Sequence, residues 1–173
     1  MISDLISNTL RFAILLALQL FVFNNIQFSG YVNPMVYILF VMMLPFETPV
    51  WLILFSSFLL GTLLDIFCDT PGLHGTSIVL LAFLRKFVLN LFSPRDGYES
   101  NTSPTLYQLG FGWYIWYASI MVLIHHLTFF MLEAHRFAEL HKTLFRTLAS
   151  GLLTLVFALL YQYMIYRPGS AKS

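Results

Sequence analysis

Charge is so sparse in this chain that apolar runs of membrane-spanning length follow one another almost from end to end. No Asp, Glu, Lys or Arg occurs between Arg11 and Glu47, between Glu47 and Asp65, between Glu99 and Glu133, or between Arg146 and Arg167. Water-soluble domains carry about 25% charged residues; here the figure is 10%, against 58% hydrophobic. A hydrocarbon layer about 30 Å thick takes about 20 apolar residues per helix. The 173 residues therefore suit an all-α, polytopic membrane bundle of about six transmembrane helices, forming a single integral domain.

The net charge of +1 excludes a basic footprint of the kind nucleic acid requires. Cys68 is the only cysteine, which rules out an intrachain disulfide and a cysteine zinc cluster. The first apolar run ends in Asn24-Asn25-Ile26-Gln27 rather than in small residues at cleavage spacing. Further spans follow it, so it reads as a retained signal anchor.

Spans are expected at 10–28, 31–46, 50–67, 73–92, 114–132 and 144–166. Gly30 and Asn33-Pro34 mark the first turn, because a residue preceding proline is pushed out of helical geometry. The second span is short and closes at Pro45; Pro49 suits the first turn of the third. In the third, Ser57 and Gly61 stand four apart, a spacing that lets helix backbones approach, and Asp65 continues the stripe. Cys68-Asp69-Thr70-Pro71-Gly72-Leu73-His74-Gly75 then reads as a turn. Arg85 and Lys86 interrupt the fourth span. A cation at the bilayer centre costs roughly 2.5 kcal/mol or more, so both are expected to snorkel to the headgroups.

Residues 93–112 read as a polar cytoplasmic loop, and 133–143 as an interfacial amphipathic segment. That segment sets Glu133, Arg136, Glu139 and Lys142 on one side, with Phe137, Leu140 and Leu144 on the other. In the last span Ser150, Thr154, Ala158 and Gln162 share a ridge that reads as helix packing, as does Ser57 in the third. Six spans place both termini on one side, together with Arg11, Arg85, Lys86, Arg95, Arg167 and Lys172. Arg136, Lys142 and Arg146 fall opposite, so the positive-inside rule puts the termini in the cytoplasm.

Few groups are left for chemistry. Asp65 and Asp69 share a helix face if the helix reaches that far; they read either as an ion or proton site or as caps of the membrane-exit turn. His126 and Glu133 lie seven apart on one face, with His125 adjacent. A metal site would need His74, His135 or His141 as well, and no close ligand spacing occurs. The simpler reading has one histidine bonded across to a neighbouring helix, such as to Gln19 or Asn24 on span one, and the other at the outer boundary. Ser150-Gly151 has no nucleophile-elbow context, and dinucleotide, P-loop and zincin motifs are absent from the sequence. No catalytic residue, cofactor or metal is therefore assigned.

The run Phe58-Leu59-Leu60-Gly61-Thr62-Leu63-Leu64-Asp65-Ile66-Phe67, followed by Asp69-Thr70-Pro71-Gly72-Leu73-His74-Gly75, resembles the MreD family of bacterial rod shape-determining proteins. Gln19, the run Phe23-Asn24-Asn25-Ile26-Gln27, Asn33-Pro34, Leu84-Arg85, the run Ser93-Pro94-Arg95-Asp96-Gly97-Tyr98-Glu99, and His125-His126 with Glu133 are similar to Bacteroidetes-type members. The resemblance covers essentially the whole chain. It implies a non-catalytic inner-membrane component of the cell-elongation machinery that supports peptidoglycan synthesis. The partners it implies are MreC directly, and MreB and the transpeptidase–glycosyltransferase pair indirectly. It also implies the six-helix fold of the membrane substrate-binding subunits of energy-coupling factor vitamin transporters. On this reading Gly61, Asp65, Asp69, Pro71, Gly72 and His74, with His125, His126 and Glu133, are structural or partner-binding residues. Two other classes compete: a vitamin-like solute-binding subunit of a transporter, and an intramembrane enzyme built on His125, His126 and Glu133.

Overall fold

The computed structural model describes residues 2–25, 32–99, 102–134 and 140–165. Helix α1 (Ile2–Phe21) continues into a 3-10 turn at Phe23–Asn25. After an inner segment come α3 (Val50–Cys68), α4 (Leu73–Leu91), the one-turn α5 (Leu106–Leu109), α6 (Phe111–Glu133) and α7 (Leu140–Ile165). The expected helical bundle is what forms. Among the described residues five helices are long and apolar enough to cross a membrane, the first counted over Ile6–Asn25. The 19 residues of α3 extend about 28 Å, close to the hydrocarbon thickness.

The second expected span is where the structure differs. From Val32 onward, the region 31–46 forms no long helix; it makes a 3-10 turn at Val36–Ile38 and a single turn, α2 (Leu39–Met42). Every residue from Met35 to Leu44 is at most 4% exposed. Pro34 and Pro45 bracket too few residues for a crossing helix. Irregular backbone is tolerated at membrane depth where protein, not lipid, surrounds it. The apolar letters here record burial inside the bundle rather than contact with acyl chains.

This inner segment runs antiparallel to α1. Gln19 bonds Pro34, Phe12 packs edge-on to Phe40 at 5.3 Å, and Arg11 reaches the Met43 carbonyl. The segment therefore brings the chain back to the end of the bundle where α1 began, here called the proximal end. Helix α3 leads away again, and Asn24 at the end of α1 meets Cys68 at the end of α3. Helix α4 returns, α6 leads away, and α7 returns to place Gln162 beside the Leu106 amide. The described starts and finishes of the chain thus share the proximal end. The loop after α4 folds under that end, with Tyr98 stacked on Phe46 at 4.0 Å. That loop is not wholly irregular: Thr105 caps α5, and α6 begins at Phe111, earlier than expected.

Outward and inward faces divide by size and polarity. On α7 Phe145, Leu148, Leu152 and Leu160 are exposed, whereas Thr147, Ser150, Gly151, Thr154, Ala158 and Gln162 are buried. On α3 Phe55, Phe58 and Ile66 point out, while Ser57, Leu60, Gly61 and Leu64 point in. Lipid is as apolar as leucine, so large side chains gain little by leaving it; small residues win the interior because they permit close packing.

Candidate functional site

The α3–α4 turn is organised by one carboxylate. Asp65 Oδ1 accepts from the Thr70 hydroxyl at 2.7 Å and the His74 amide at 3.0 Å, and Oδ2 accepts from the Gly75 amide at 2.8 Å. Amides at a helix start have no intrahelical acceptor, so Asp65 on α3 caps α4 from outside that helix. His74 Nδ1 lies 3.2 Å from Oδ1 and 2.9 Å from Thr70 Oγ1, which places its proton on Nδ1. Both carboxylate oxygens are committed inside the fold. The capping reading of Asp65 is the geometry found. Asp69 is exposed and ends α3 at φ 53, a left-handed conformation that Asp tolerates better than most residues. Pro71 and Gly72 are exposed, and Gly72 adopts φ 80 in the turn itself.

One turn before Asp65 the two backbones touch. A Cβ on Gly61 would stand 2.5 Å from the Cα of Gly75, closer than any side chain can come. The glycines and the carboxylate thus form one interlock. Ser57 closes back on its own helix, donating to the Ile53 carbonyl.

A second polar system clamps the inner segment at both ends. At its start Asn33 N–H donates to Ser150 Oγ, Met35 N–H to Thr154 Oγ1 and Val36 N–H to Gln19 Oε1. At its finish three successive carbonyls are capped from three helices: Met42 by the Tyr117 hydroxyl, Met43 by Arg11 and Leu44 by Arg85. Unsatisfied amides and carbonyls are expensive in a lipid-depth interior. These side chains make the broken backbone tolerable. Arg85 corrects the snorkelling expectation: it is 3% exposed, while Lys86 beside it is exposed. A buried guanidinium suits the carbonyl end of a helical turn, where partial negative charge gathers.

The paired histidines join the same system. His125 Nε2 lies 2.8 Å from the Tyr37 hydroxyl, and His126 Nε2 lies 3.0 Å from Thr154 Oγ1. Both are fully buried, so neither faces the outer boundary; His126 does bond a neighbouring helix, but at Thr154 of α7 rather than at Gln19 or Asn24. Glu133 pairs with Arg146 at 2.6 Å. Among the described residues no group of three His, Cys, Asp or Glu is placed to hold a metal. His135, Arg136, Phe137 and Glu139, hence most of the expected amphipathic segment, lie outside the described residues, as do Gln27 and Gly30.

At the distal end the helices part around a cavity of about 560 Å³. Gln19, Asn24, Asn33, Thr70, His74 and Glu133 line it together with Phe21, Phe67 and Phe129. Read along the sequence, these amides look scattered; the fold gathers them at one place. Tyr37, Arg11, Tyr117 and Asn33 were not singled out as site residues. The available signal for Arg11 and Arg85 was a cation within an apolar run, which defaults to function or structure rather than to chance.

Comparison with protein-family models, with curated proteins and with solved structures returns no match to this chain. The molecule is a multi-pass α-helical membrane protein, defined by a glycine–aspartate hairpin interlock and a clamped, discontinuous inner segment.

Proposed function

We propose that this chain is a non-catalytic membrane scaffold of the MreD type, acting in cell elongation through helix contacts with an MreC-like bitopic partner. The observation that carries the reading is the interlock. The residues that resemble the family motif, Gly61, Asp65, Thr70, Gly72, His74 and Gly75, occupy one continuous structural device whose carboxylate is filled by neighbours. On α6 and α7 Tyr117, His125, His126, Ser150 and Thr154 likewise face the inner segment or each other, as a rigid frame for partners requires. Exposed apolar faces on α3 and α7 supply lipid-depth surface against which a single partner helix can pack.

The orientation proposed with it is cytoplasmic for the proximal end, in the bacterial inner membrane. Arg11, Arg85, Lys86 and Arg95 belong to that end, against Lys142 and Arg146 at the distal one. Binding to MreB and to the transpeptidase–glycosyltransferase pair follows indirectly, through MreC. The test is co-purification from native membranes with tagged MreC. Wild type should retain the partner, and Asp65→Asn should lose most of it. Retention of MreC at wild-type yield by a folded Asp65→Asn protein would remove the interlock from partner assembly.

A further inference from the structure

We propose that the distal cavity is a binding site for an uncharged polyhydroxylated headgroup, a sugar or glycerol moiety, presented by a membrane amphiphile. Its volume of about 560 Å³ falls within the range of small-molecule sites, about 300–1,000 Å³. The chemistry of the wall selects the ligand class. Among the described residues no Lys or Arg lines the cavity and the carboxylate Glu133 does, which disfavours phosphate. Asn33 Oδ1 is buried and has no hydrogen-bond partner among the described residues, although the Asn33 backbone amide is engaged by Ser150. His74 Nδ1 is engaged by Asp65 and Thr70, which leaves Nε2 with no hydrogen bond among the described residues. An orphan carbonyl oxygen and an unengaged ring nitrogen ask for hydroxyl groups, which both donate and accept. The Phe129 ring beside His74, at 4.8 Å, supplies the apolar face against which a sugar ring rests.

The exit from the cavity points to an amphiphile rather than a free solute. Phe21 at the end of α1 and Phe67 at the end of α3 line the cavity and are also 77% and 68% exposed. Both helices are lipid-facing there, so an acyl chain leaving between them enters hydrocarbon while its headgroup remains among the amides.

The inference stands apart from the scaffold reading, since partner co-purification can fail while this binding holds. The test uses the whole chain, purified in lauryldimethylamine oxide and moved into phosphatidylcholine nanodiscs. Three arms add monoglucosyl diacylglycerol, phosphatidylethanolamine, or free methyl glucoside, with binding read by native mass spectrometry and thermal shift. The glucosyl lipid should remain bound and raise the melting temperature, with the other two arms weaker by about tenfold or more. Asn33→Leu removes the orphan acceptor. It should leave the unliganded melting temperature unchanged or higher, yet weaken glucosyl-lipid binding about tenfold. Equal retention of phosphatidylethanolamine overturns the proposal by showing a site for an amine. Methyl glucoside binding as tightly as the glycolipid overturns the amphiphile, and unaltered glycolipid binding by Asn33→Leu overturns the site.

Discussion

The α3–α4 hairpin and the inner segment solve the same problem in opposite ways. Both must pack backbone against backbone where water is scarce. The hairpin does so with regular helices, two glycines in contact and one carboxylate no more than ten residues from the groups it caps. The inner segment is irregular, and its caps come from Gln19, Arg11, Arg85, Tyr117, Ser150 and Thr154, up to 119 residues away. A local device can form as soon as its own turn closes. A distributed one exists only when α1, α4, α6 and α7 are all in place.

That contrast can be broken most severely at the hairpin. Gly61→Leu forces a side chain into the Gly75 backbone and should cost about 3 kcal/mol or more. The expected readout is loss of folded, monodisperse protein in detergent; Gly61→Ala should be milder but still clearly destabilised. Asp65→Asn comes next, at about 2 kcal/mol, because an amide can present an acceptor to only one side of the turn. Its melting temperature should fall, and a protein as stable as wild type would show that the charge contributes nothing there.

Changes at the inner segment should be smaller and local. Thr154→Val strips the partner from the Met35 amide and from His126, at about 1 kcal/mol, since interhelical hydrogen bonds in membranes are individually modest. Hydrogen exchange should quicken across residues 33–44 while the α3–α4 hairpin stays protected. Uniform quickening would mean that the two regions unfold as one unit. Tyr37→Phe should be smallest, about 0.6 kcal/mol, because it deletes only the hydroxyl facing His125. A loss as large as that of Asp65→Asn would place Tyr37 at the centre of the fold.

How legible was each region? In the hairpin the small-residue stripe and the turn were legible, because spacing of four along a helix and a Pro-Gly turn are local geometric facts, but the Gly61–Gly75 contact was not. Asp65 as a cap was one of two open readings, decided by where the Gly75 and His74 amides fall. The inner segment misled, since an apolar run lining lipid and one buried in protein look identical; only its shortness between Pro34 and Pro45 hinted otherwise. Arg85 misled for a related reason. Snorkelling is the cheaper fate of a cation only when no carbonyl cluster waits inside, and three carbonyls do. Ser150 and Thr154 lie on the buried ridge of α7, yet their hydroxyls also serve amides of the inner segment.

By itself the chain's order of letters determined that it enters a bilayer, that its long apolar runs become helices, and that a Pro-Gly turn separates α3 from α4. Those outcomes depend on solvent transfer and on neighbours within a few turns. The tertiary structure alone decided that 33–44 lies inside the bundle, that Arg85 is buried with it, and that Asn33, His74 and Phe129 share a cavity. Each of these depends on which distant groups converge, and pairing across a bundle leaves no periodic mark along a single chain.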